Sequence, residues 1–144
     1  MFGSNRQTLR QNWFNAWHKY QQKQPLDALE TIICQTIELH PEYHPILNNP
    51  NRYLDSDFSP ESGVENPFLH LSMHLGLHEQ ISTNRPAGIQ MLYQQLNHKT
   101  TDIHQTEHHM MDCLGASLWE AQRNNQAPDE KKYLACLQQL LYKI

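Results

Sequence analysis

The sequence predicts an all-α protein, a bundle of four to six helices with a long Pro- and Asn-rich connection after the second helix. Three observations carry this. Apolar residues recur three and four apart over long stretches. Prolines and capping residues sit at the ends of those stretches. No window of useful length shows the strict alternation of a strand.

The first helix is expected from about Asn5 to Gln22, with Leu9, Trp13, Trp17 and Tyr20 on one face. The second runs from Pro25 to His40, where Pro41 forbids continuation, and carries Leu26, Leu29, Ile33 and Ile37 beside Ile32 and Leu39. Glu30 falls within that apolar stripe, as an additional ligand or a buried partner for Arg or His. Residues 41–65 hold Pro41, Pro45, Pro50, Pro60 and Gly63, an unusually long connection that should pack over the helices. Its run Asp55-Ser56-Asp57-Phe58-Ser59 echoes a calcium loop. Pro60 stands where that loop needs Gly and its twelfth position lacks Glu, so the match fails.

The third helix opens with Asn66 as N-cap and Pro67 in the first turn, and runs to about Ile81. The fourth opens at Pro86 with Ile89, Leu92, Tyr93 and Leu96. The fifth runs from Thr101 or Asp102 to about Gln122. The sixth follows Pro128-Asp129 with Tyr133, Leu137, Leu140, Leu141 and Ile144. Trp13, Trp17 and Trp119 read as core. The 144 residues suit a single helical domain, 1–144, with the 41–65 segment packed on it.

Composition narrows the function. A net charge of -4 with 11 Lys and Arg disfavours a nucleic-acid binder. No apolar run reaches the roughly 18 residues of a membrane span, and the start lacks a signal segment, so a cytoplasmic protein is expected. Cys34, Cys113 and Cys136 form no Cys-x-x-Cys pair and are expected as buried thiols, with no disulfide framework. A homodimer is compatible with the pattern. There is no nucleophile elbow, phosphate loop or dinucleotide fingerprint.

The 10 histidines are the informative residues. At about 100° per residue, with His70 at zero, His74 falls at about 40°, Leu77 at about 340° and Ile81 at about 20°. On the fifth helix, with His104 at zero, His108 falls at about 40°, Met111 at about 340° and Glu107 at about 300°, while His109 and Glu120 point away. Leu114, Leu118 and Ile103 continue that stripe. Each helix thus offers an imidazole pair on its apolar face. In an up-down bundle the third and fifth helices run parallel, which would set both pairs at one level.

An imidazole pair at i, i+4 can hold a metal ion from one helical face. His70, His74, His104 and His108, with Glu107 as ligand or general base, make a candidate metal site; His40 and His44 are added candidates from the sequence His40-Pro41-Glu42-Tyr43-His44. Such a donor set suits Zn, Fe, Mn or Ni. Two ions would need Glu107 as a bridge. Three functional readings follow. One is a metal-dependent protein, an enzyme in its fuller form, that activates water or a thiol. The second is a helical interaction module with a histidine-rich core and no metal. The third is a bundle whose histidines charge together near pH ~6.

Four runs carry a resemblance: His40-Pro41-Glu42-Tyr43-His44; Asn66-Pro67-Phe68-Leu69-His70-Leu71-Ser72-Met73-His74-Leu75; Glu107-His108-His109-Met110-Met111-Asp112-Cys113-Leu114-Gly115; and Trp119-Glu120-Ala121-Gln122. With these the chain resembles, over almost its whole length, a small bacterial family, domain of unknown function 1841. That resemblance implies no particular activity. The His-x-x-x-His spacing alone is also similar to DinB-type metal-binding four-helix proteins and to hemerythrins. The successive His and carboxylate motifs of hemerythrins are not present.

Overall fold

The computed structural model describes residues 2–58 and 66–143. Met1, Ile144 and residues 59–65, which include Ser59, Pro60 and Gly63 of the expected connection, lie outside the described residues. The chain forms two compact units, Met1–Leu75 and Gly76–Ile144.

The described residues are helical without a strand: α1 (Phe2–Gln21), α2 (Ala28–Glu38), a 3-10 turn (Pro41–Tyr43), α3 (His44–Leu47), α4 (Pro50–Tyr53), α5 (Pro67–Thr83), α6 (Ile89–Thr100), α7 (Ile103–Arg123) and α8 (Glu130–Lys143). The count exceeds the expected four to six because the Pro-rich connection is itself partly helical. Each of its turns starts on a proline or places one in the first turn, where the absent N–H would have had no helical partner.

In the first unit, α1 packs on α2 and α3. Trp13, Phe14, Ala16 and Trp17 of α1 are buried with Ile33, Cys34 and Ile37 of α2, Tyr43 and Leu47 of the connection, and Phe68 and Leu71 of α5. Phe14 and Phe68 meet edge to face at 5.5 Å. The expected face of α2 is corrected by its start. Asp27, rather than Pro25, caps the helix: its carboxylate accepts from the Glu30 N–H, and the Asp27 N–H donates back to Glu30. Leu29 and Leu39 are exposed, and Cys34 and Thr36 join Ile33 and Ile37 inside. Glu30 is held by that cap and by Lys19 at 2.8 Å, which places it at the rim of α2, away from a ligand role.

Arg10, only 3 % exposed, ties the connection to α1. Its guanidinium donates to the carbonyls of Tyr53, Leu54 and Ser56 at 3.2, 3.1 and 2.7 Å. It also lies 4.7 Å from the Phe68 ring and 5.6 Å from the Phe58 ring. One guanidinium nitrogen, Nη1, serves all three carbonyls of this irregular segment.

In the second unit α6, α7 and α8 pack on one another. Ile89, Leu92, Leu96, Met110, Met111, Leu114, Tyr133 and Leu137 are buried. Asn84, at φ 53°, turns the chain between α5 and α6, and its side chain accepts from the N–H groups of Gly88 and Gln90. Gly88, at φ 101°, is the N-cap, so α6 begins at Ile89 rather than at Pro86. Asp102 caps α7 through the His104 and Gln105 N–H groups.

Two expectations of burial fail here. Trp119 is 61 % exposed and lies under Arg123, whose guanidinium is 5.2 Å from the ring. Ile103 and Leu118 are also exposed. The buried face of α7 is instead centred toward Thr106, Met110 and Cys113. Cys113 and Cys136 form a disulfide between α7 and α8, which corrects the expectation of free thiols and helps fix that rotation. Among the described residues no helix is long and apolar enough to cross a membrane.

Replacing Arg10 by Met should leave three carbonyls without this donor and cost about 2–4 kcal/mol. Urea unfolding would measure this, and a loss below about 0.5 kcal/mol would show that the strap is held by other means.

Candidate functional site: a histidine cluster

The cluster in the first unit begins at the C-terminus of α2. The last carbonyls of a helix have no intrahelical partner. The His40 N–H turns to the Ile37 carbonyl at 2.9 Å, so it does not serve Thr36. Pro41 has no N–H to give Ile37. Two imidazoles take these places. His40 Nδ1 donates to the Thr36 carbonyl at 2.8 Å, and His44 Nε2 donates to the Ile37 carbonyl at 2.9 Å.

A carbonyl can only accept, so each bond assigns a tautomer. Neutral His40 carries its proton on Nδ1 and leaves Nε2 as a lone pair. Neutral His44 is the reverse, with its Nε2 spent on the backbone and its ring 4.8 Å from that of Trp17. The structure therefore turns His40 and His44 to different duties, although both were read as ligand candidates.

His40 is 1 % exposed and His74 3 %. The half-buried His70 lies between them: its Nε2 is 3.2 Å from His40 Nε2 and 3.3 Å from His74 Nε2. The rings of His40 and His74 are 4.7 Å apart, and Tyr43 stacks on His40 at 5.4 Å. Three Nε2 atoms so placed cannot all present lone pairs to one another. Protons or a cation must lie among them.

In the second unit, His104 and His108 are one turn apart on α7 with ring centroids 4.1 Å apart. Both are half-buried, on the flank of the buried face of α7 rather than at its centre. Glu107 is also half-buried, and its charge helps hold the Tyr93 hydroxyl of α6 above its ordinary pKa, although burial of Tyr93 is the larger cause. His109 is half-buried, while His78 and His98 are exposed.

The reading from sequence missed Thr36 and Ile37, whose carbonyls orient two of the imidazoles. Its signal was available: a proline placed four residues after Ile37 removes the i+4 donor to that carbonyl and leaves room for a second one. The thiols also divide. Cys34 is buried and bonds to the Ala16 carbonyl, and burial pushes its pKa to about 11.

These features define an all-helical protein with a buried histidine cluster. The chain belongs to the family described as Domain of unknown function (DUF1841), whose model matches residues 5–139. No curated protein and no solved structure is significantly similar to it.

Nitrogen-15 NMR of the metal-free protein at pH ~8 should find the proton of His40 on Nδ1 and that of His44 on Nε2. The opposite assignment at His40 would remove the lone pair from the cluster. Cys34 supplies a second test. Its folded pKa lies above the ordinary value of 9.0, so the proton stabilises the fold. That contribution is complete below pH ~9 and is lost as pH rises toward about 11. Wild type should lose stability over this window relative to Cys34→Ala; parallel urea midpoints would contradict it.

Proposed function

We propose that the protein binds a transition-metal ion through its histidines. The carrying observation is the spacing of Nε2 atoms in the first unit. Two nitrogens bound at about 2.0–2.1 Å to one tetrahedral ion stand about 3.3 Å apart. The spacings of 3.2 and 3.3 Å at His70 match that geometry. The Nδ1 bond from His40 to a backbone carbonyl is also the outer support that metal-bound imidazoles use.

In the first unit the ligands in this reading are His40, His70 and His74. In the second unit His104 and His108 form a second imidazole pair, with Glu107 as the carboxylate on α7, as a ligand or as a general base. His44 supports the turn that carries His40. Nitrogen donors suit Zn, Ni and Fe, and Glu107 keeps Mn in the set. An ion with a remaining open position would activate water or a thiol, which makes a metal-dependent enzyme the fuller form of the proposal. Imidazole ligands that fill the coordination sphere would instead make the ion structural.

The second reading, a helical interaction module without metal, draws on the same contacts: one shared proton between His70 and its neighbours satisfies part of the cluster. Elemental analysis separates the two. Tag-free protein equilibrated with Zn, Fe, Mn and Ni at neutral pH should retain about one ion per chain. His74→Ala should remove most of it, and His109→Ala should not. Less than about 0.1 ion per chain would end the metal reading. Loss on His74→Ala with full retention on His108→Ala would confine the ion to the first unit.

A further inference from the structure

We propose that the cleft between α7 and α8 is a thiol-exchange site, at which a small zwitterionic thiol opens the Cys113–Cys136 disulfide. The cleft has a volume of about 230 Å³ and is lined by both cysteines together with Ser117, Glu120 and Lys132. Cys113, Ser117 and Glu120 are spaced by four and three residues on α7, and Lys132 and Cys136 by four on α8, so each helix turns one face to the cleft. A disulfide buried only for structure would be covered. This one borders open space: Cys113 is 3 % exposed, and Cys136 is half-buried.

The rim explains the chemistry of the incoming group. Lys132 pairs with Glu120 at 2.9 Å, and both side chains are substantially exposed, at 66 % and 46 %. Such a pair is weak and exchanges readily with other charges. A thiol bearing a carboxylate and an ammonium, as an amino-acid thiol does, can replace each partner with the opposite charge and lower its sulfur toward Cys136. The size of the cleft suits such a molecule and excludes a folded protein partner.

The exchange balances with the thiol as reductant. Its thiolate attacks Cys136 Sγ, the sulfur of the more exposed cysteine. The disulfide electron pair leaves on Cys113 Sγ, which takes a proton from solvent in the cleft. A second thiolate then attacks the small-molecule sulfur of the mixed disulfide. This releases the small disulfide and leaves Cys136 as a thiolate that is protonated in turn. Two thiols are oxidised to one disulfide, and the protein disulfide is reduced to two thiols. Run backward, the small disulfide oxidises the protein. Cys34 takes no part, because it is enclosed in the first unit and its thiolate is disfavoured by burial.

The test uses the intact, oxidised protein under native conditions. It is treated with free cysteine or with mercaptoethanol at equal thiolate concentration, quenched with acid, and mapped by peptide mass spectrometry. The mixed disulfide should appear on Cys136 rather than Cys113, and cysteine should react at least about fivefold faster. Lys132→Gln and Glu120→Gln, both at exposed positions, should bring the two rates together. A disulfide that opens only after unfolding, an adduct on Cys113, or equal rates in the unsubstituted protein would each overturn the proposal. Cys113→Ser exposed to cystine should accumulate the Cys136 adduct. If that variant does not fold, the mapping of the unsubstituted protein decides alone.

Discussion

The bond from His40 Nδ1 to the Thr36 carbonyl is the constraint on which the cluster depends. It satisfies a helix end and at the same time fixes which nitrogen of a buried ring carries a lone pair. Without it, His40 could turn its N–H toward His70, and the Nε2 spacing would report only a chain of hydrogen bonds. Pro41 is the covalent reason for the arrangement. It ends α2, removes one backbone donor, and starts the 3-10 turn that brings His44 back to Ile37.

The same unit shows how an irregular segment can support a polar interior. The connection contributes Tyr43 and Leu47 to the core, and Arg10 holds its far part through three carbonyls. Tyr43 also stacks on His40. Packing of the connection and orientation of the imidazole are thus coupled through one aromatic ring.

Much of the helical pattern was legible in the sequence because its signals are local. Asn66 and Asp102 cap helices as their residue types suggest, and Pro41 ends one. The apolar face of α5, with His74 and Leu77 inside, follows from periodicity. What was not legible depends on distant partners. Trp119 looked like core, but α7 rotates to serve Thr106, Met110 and Cys113. The pairing of Cys113 with Cys136 joins two helices and has no spacing signature. Glu30 looked like a stripe residue, yet a local cap and Lys19 claim it. Arg10 gave no signal of burial, since its three acceptors are backbone atoms more than 40 residues away. Histidines in a stripe could be placed on faces, but tautomers required knowing which carbonyls the chain leaves open.

The disulfide also changes the covalent topology of the second unit. It closes a ring across a sequence separation of 23, and that ring contains the exposed turn from Asn124 to Asp129. A protease that nicks this turn would yield two polypeptides still held as one molecule while the sulfurs are joined. After reduction α8 would be retained by packing alone. Backbone cleavage at the turn and release of the C-terminal helix are therefore separate events, and the oxidation state of one sulfur pair decides whether the first leads to the second.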